Sequence, residues 1–196
     1  MRSLLFLFLF IFATTMFAQS LSNAAMDGKR WSESPRDIRI GFILGYVDCS
    51  TSILRERKYP NLNWTQLEKN ISEYISNSPS SRDLQVGNLI VDIYDRESNK
   101  SVDIHIKKNE KISGLFAGDY WWECSAEERK GMIEGYVECL KKSGYKKIDL
   151  SHPIDFYVNA ISAWYGFDEN NEKTYNKARF KDKIASVFVF AAGTKK

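Results

Sequence analysis

Histidine is nearly absent from this 196-residue chain: there are two, His105 and His152. Neither stands at a metal-ligand spacing from a cysteine or a carboxylate, so the common zinc sites are excluded and no metal is expected. The Gly-x-Ser-x-Gly elbow, the phosphate-binding P-loop, the Gly-rich dinucleotide turn and His-Glu-x-x-His are also missing, and no cofactor is expected. Net charge is small, +3 from 28 basic and 25 acidic residues. A dedicated nucleic-acid binder carries a stronger basic excess, so nucleic acid is not an expected partner. Long apolar runs are lacking too. Leu4 to Phe12 is the longest, about half of the roughly 20 residues that a membrane span requires.

That run has a different reading. Arg2 precedes it, and Thr14, Thr15 and then Ala18 follow it, which is the layout of a secretory signal cut near Ala18. Removing residues 1–18 leaves 178 residues and takes away Arg2, bringing the net charge to +2. No cysteine follows the cut, so no lipid anchor is expected, and the protein is expected to be periplasmic or secreted. The remaining length suits one domain or two small repeats sharing a core. Aromatic residues make up 14% of the chain, which argues against disorder.

A duplication organises what is left. At an offset of 90 residues, Gly28 matches Gly118, Trp31 matches Trp121 and Glu33 matches Glu123. Gly41, Ile43, Gly45, Tyr46, Val47, Asp48 and Cys49 then match Gly131, Ile133, Gly135, Tyr136, Val137, Glu138 and Cys139. The expected fold is all-α: two tandem three-helix repeats, residues 27–95 and 117–193, packed about a pseudo-twofold axis. An extended linker, residues 96–116, joins them, with Val102, Ile104 and Ile106 alternating as in a short strand. Apolar residues at three- and four-residue spacing mark the first helix of each repeat. Ser34-Pro35 reads as its N-cap and first turn in copy one, and Ser125 with Glu128 as a capping box in copy two. The second helix is expected from about Thr65 to Ser76, and in copy two after Ser151. The third, expected over about Asp83 to Tyr94 and Ala178 to Ala191, is rich in β-branched residues, so strand competes there; length favours helix.

The two glycines of each first helix share one face, where small residues let helix backbones approach closely. If the equivalent helices pack on each other, Cys49 and Cys139 lie on the same ridge and can form a disulfide. The competing reading is two buried thiols. Cys124 and Cys139 flank one helix, roughly 20 Å apart along its axis, too far to bridge.

Two candidate sites follow. Asp48 and Glu138 are equivalent acids that could converge as a catalytic carboxylate pair if the helices cross; the bland alternative is that they face water or pair with Arg55 or Lys142. Trp31 and Trp121 read as core staples. Tyr120, Trp122, Trp164 and Tyr165 are less constrained by pattern and could line a binding groove between the repeats.

Over residues 38–94 the first copy, with GFILGYVDCSTSI, WTQLEKNISEYISNSP and DLQVGNLIVDIY, resembles the Tai-type immunity proteins, which block type VI secreted amidases that cut peptidoglycan. Gln66-Leu67, Tyr74-Ile75, Asn77-Ser78-Pro79 and Leu89-Ile90 stand where that family carries its helix motifs. The chain departs from the family in having two units and in lacking its cysteine pair. Residues 118–190 resemble uncharacterised exported bacterial proteins. The resemblance implies an all-helical, non-enzymatic binding protein that recognises another protein, with a secreted amidase effector as the partner it points to. The alternative expectation is a secreted hydrolase of cell-wall polysaccharide or peptidoglycan that uses Asp48 and Glu138.

Overall fold

A computed structural model describes residues 25–100, 116–166 and 177–193. The expected signal segment, His105 and the alternating run at Val102 to Ile106 lie outside the described residues. Within them the protein is all-α, with no strand and no helix long and apolar enough to cross a membrane.

In copy one, α1 (Gly28–Glu33), α2 (Arg36–Asp48), α3 (Trp64–Asn77) and α4 (Val86–Lys100) follow one another; in copy two, α5 (Gly118–Glu123), α6 (Ala126–Lys142), α7 (Ile154–Trp164) and α8 (Ile184–Ala192). Among the described residues each copy therefore has four α-helices rather than three, because a short helix precedes the Gly-rich one. A 3₁₀ turn also precedes the last helix, at Pro79–Asp83 and Lys177–Lys181. The β-branched segments are helical. Helix α4 runs on to Lys100, so residues 96–100 are not extended linker as expected.

The caps explain the boundaries. Asp27 accepts the Arg30 N–H at 2.8 Å and starts α1. The backbone N–H of Ser34 donates to the Trp31 carbonyl, so Ser34 ends α1 instead of capping α2, and Pro35 holds the cap position of α2. Ser125 Oγ accepts the Glu128 N–H at 3.1 Å, as the capping-box pattern requires. Asn63 does the same for α3 through Gln66 N–H at 3.0 Å.

The centre of the molecule is the crossing of α2 and α6, its most extensive helix–helix contact. A Cβ at Gly41 would fall on the Glu128 carbonyl, and one at Gly131 on the Ile38 carbonyl. A Cβ at Gly45 would meet the Met132 carbonyl, and one at Gly135 the Phe42 carbonyl. Each contact has its reciprocal 90 residues away. Side chains at these four positions would force the backbones apart, which is why the repeat keeps glycine there.

The same reciprocity appears around the crossing. Trp31 Nε1 donates to Ser72 Oγ at 3.0 Å, and Trp121 Nε1 to Ser162 Oγ at 3.2 Å. Arg39 lies over Trp31 and Arg129 over Trp121. Val86 N–H donates to the Met26 carbonyl, and Ile184 N–H to the Phe116 carbonyl. Both tryptophans are fully enclosed, each contributing on the order of 2–3 kcal/mol of apolar burial. Cys49 and Cys139 are joined as a disulfide with Cα atoms 6.4 Å apart, and Cys124 is a buried thiol. Beyond Asp48 the copies diverge: copy one widens into a π-helical turn at Cys49–Ile53, whereas α6 continues regularly to Lys142.

Candidate functional site

The two equivalent acids are both buried, and each is held by its own set of donors. Asp48, from copy one, accepts the Ser52 hydroxyl at 2.5 Å and the hydroxyl of Tyr136 from copy two. Glu138, from copy two, accepts the backbone N–H of Met26 at 2.7 Å and of Gly87 at 3.3 Å, both from copy one. No donor is shared between them. Each acid reaches across the seam and ties down the opposite copy, Glu138 by satisfying an N–H in the first turn of α4. Burial pushes both carboxyls above the usual carboxylate range. Hydrogen bonds oppose the shift, from Ser52 and Tyr136 at Asp48 and from the two backbone N–H groups at Glu138.

The four aromatics expected to line a groove are not equivalent, and one of them is in the core. Tyr165 is fully buried, and its hydroxyl donates to the Asp182 carbonyl at 2.9 Å. Gly118 packs against its ring, leaving no room for a Cβ. Tyr120 is half-buried and donates to Glu128 at 2.7 Å; Trp122 donates to the Tyr165 carbonyl at 3.1 Å and packs on Phe180. These three are fold contacts of copy two. Burial raises the Cys124 thiol, beside Tyr120, to about 12, far from the range of a reactive thiolate.

Trp164 differs. It is half-buried, with Nε1 donating to Asp182 Oδ2 at 3.0 Å. Arg179 stacks over it at 4.5 Å, and Phe190 packs beside it at 5.2 Å while remaining 69% exposed. Phe156, on the same helix α7 as Trp164, is 43% exposed and stacks on His152 at 4.2 Å. Phe190 was not singled out by sequence reasoning. It sits in the apolar run Ile184–Ala192, where exposure follows from the helix facing rather than from composition.

A second feature was also illegible. A cleft of about 350 Å³ opens at the seam, its lining including Met26, Arg30 and Phe42 from copy one and Glu134, Lys141 and Ile154 from copy two. Arg30 Nη2 donates to Glu134 Oε1 at 2.6 Å, while the buried Oε2 has no hydrogen-bond partner. Burial raises the Glu134 carboxyl, and Arg30 only partly offsets this. At the repeat offset Glu134 corresponds to Leu44, and Arg30 to Tyr120. This ion pair therefore has no counterpart on the other side of the seam. The exchange of Leu44 for Glu134 within an otherwise matching helix is the sequence signal that could have located it.

Among the described residues, no group of three or more His, Cys, Asp or Glu could hold a metal ion. The chain matches no protein-family model, no curated protein and no solved structure.

Proposed function

We propose that this is an exported binding protein that recognises another protein through the exposed face of copy two, centred on Trp164, Phe190 and Arg179. The observation that carries the reading is Phe190, a large aromatic left 69% exposed beside a tryptophan that is itself stacked under an arginine. Aromatics and arginine are the residue types that dominate binding energy at protein interfaces. Arg179 adds a positive charge to this face, so it suits an acidic partner surface. The first copy's resemblance to Tai-type immunity proteins makes a secreted cell-wall amidase the first partner to test.

The experiment compares wild-type protein with Phe190→Ser, both immobilised and exposed to the same purified amidase effectors and the same periplasmic extract. The reading expects an acidic partner retained by the wild type and lost by the variant. Identical retention by the two proteins removes the proposed face, and a catalytic turnover of peptidoglycan by the protein alone removes the binding reading altogether.

A further inference from the structure

Helices α2 and α6 run in the same direction: Gly131 packs on Ile38, Gly135 on Phe42, and Cys49 is bonded to Cys139. Both therefore finish at one pole of the molecule. We propose that the lysines at this pole dock the protein reversibly on an anionic phospholipid surface. No residue of the proposed protein-binding face takes part.

Lys141 and Lys142 are exposed in the last turn of α6, and Lys146 and Lys147 are exposed just beyond it. The Gly144 N–H donates to the Lys141 carbonyl at 3.2 Å and the Tyr145 N–H to the Leu140 carbonyl at 3.1 Å, with Gly144 at φ 68°. This pattern reverses the chain at a helix end. Tyr145 is half-buried against the core and Ile148 is buried, so the Lys146–Lys147 segment is anchored on both sides. The Cα atoms of Lys142 and Lys146 can lie at most about 14 Å apart, and the turn shortens that. The two pairs therefore act as one patch in dilute salt, where charges are felt over roughly 10 Å.

The patch is not neutralised locally. Lys141, Lys146 and Lys147 enter no salt bridge among the described residues. Lys142 contacts two neutral groups, the Tyr46 hydroxyl and the Asn88 side chain. A cleft of about 390 Å³ brings Glu56 and Arg57 of copy one beside Lys142 and Ser143; Arg57 is paired with Asp95. Glu56 and Asp149 are the opposing acids here, and Asp149 faces His152 at 4.0 Å.

Lysines in a last helical turn ordinarily complement the negative end of the helix dipole. That accounts for Lys141 and Lys142 but not for Lys146 and Lys147, which follow the helix. The repeat does not require them either: at the offset of 90 the four positions are Thr51, Ser52, Glu56 and Arg57. At the opposite pole, where Ser125 bonds Asp37, the exposed acids are Glu33, Asp37, Glu123 and Glu127, with Arg36 among them. A small net charge thus conceals a separation of charge that turns the lysine end toward an anionic surface. Ammonium groups lack the bidentate fork that grips a single phosphate, so four of them suit many spaced headgroups. Tyr145, between the pairs, is a residue type that favours the membrane–water boundary.

The test is flotation of the folded protein with vesicles of phosphatidylcholine alone or with about one-third phosphatidylglycerol. Each lysine near such a surface strengthens binding about fivefold, roughly several hundredfold for four. The wild type is expected to float with the phosphatidylglycerol vesicles at about 0.05 M salt, to be released at about 0.5 M, and to ignore phosphatidylcholine. Lys146→Glu/Lys147→Glu should weaken binding by more than about tenfold. Lys69→Glu, an exposed lysine on α3, should change it by less than about twofold at this distance from the patch. Should the double variant fail to fold, Lys147→Gln compared with Lys69→Gln decides, with a loss of about fivefold expected at Lys147 alone. Equal flotation with both vesicle types, no flotation with phosphatidylglycerol at low salt, or equal losses at Lys147 and Lys69 overturns the proposal. So does binding of soluble polyphosphate without binding of vesicles, which would make the patch a site for a free polyanion.

Discussion

Tyr136 of the second copy donates its hydroxyl to Asp48 of the first, and both groups are buried. Tyr136 stacks on Phe188 at 4.9 Å, so its hydroxyl is fixed by ring packing rather than by the acid. The carboxyl therefore sits in a preformed position, with burial raising its pKa.

This arrangement dictates a pH dependence. Asp48, Glu134 and Glu138 all have folded-state pKa values above their unfolded ones. The folded state thus holds more protons, and stability falls as pH rises from the ordinary carboxylate range through the raised values. Thermal unfolding should show a lower Tm at pH 8 than at pH 5. Asp48→Asn still accepts one hydroxyl and donates to the other, since hydroxyl groups rotate. It should flatten that dependence and raise Tm at pH 8; a parallel drop in Tm at both pH values would count against the assignment.

Removing the tyrosine hydroxyl acts the other way. Tyr136→Phe leaves Asp48 with Ser52 alone, and the lost bond to a buried acid should destabilise by about 1–3 kcal/mol in urea unfolding at pH 7. An unchanged midpoint would mean that Ser52 satisfies the acid unaided.

The glycine seam gives a sharper expectation. Gly45→Ala or Gly135→Ala sets a methyl onto a backbone carbonyl of the opposite helix, and a backbone cannot rotate out of the way as a side chain does. Overpacking of this kind destabilises by roughly 1–3 kcal/mol or more. Gly144→Ala is the control of a different kind: it lies past the end of α6 at φ 68° with open space around it, so its penalty is conformational only, about 1 kcal/mol. Equal losses at Gly45 and Gly144 would refute close approach at the crossing.

The Cys49–Cys139 bond links positions 90 residues apart. In the chain-entropy account a loop of that size contributes about 4–5 kcal/mol. Unfolded, unreduced protein should react with one equivalent of a thiol reagent, at Cys124, and reduced protein with three. Reduction should lower the unfolding midpoint substantially, while Cys124→Ser should leave the disulfide intact by mass.

How much of this could be read beforehand varies by feature. The seam was legible because Gly41/Gly45 and Gly131/Gly135 repeat at one offset, and only close backbone approach asks for small residues in such a pattern. The all-helical fold was legible from periodicity. Helices α1 and α5 were not, because six residues are too few to display a period; Gly28 and Gly118 were visible only as markers. Their packing partners, Ser81 and Tyr165, lie far along the chain. Tyr165 reads as available for binding because the repeat pattern leaves it unconstrained, yet its enclosure is set by Gly118 and Asp182. Nothing in the residues around Glu134 reveals that Arg30 meets it, because the two lie 104 positions apart.

The Arg30–Glu134 pair has a consequence for how such a molecule can change. Two identical chains meeting across a twofold must accept every substitution on both sides at once. Here both halves of the crossing belong to one polypeptide, so Leu44 and Glu134 can differ while the glycines stay matched. One flank keeps the work of holding the halves together, and the other is released to acquire a polar recess that a symmetric pair would have had to install twice.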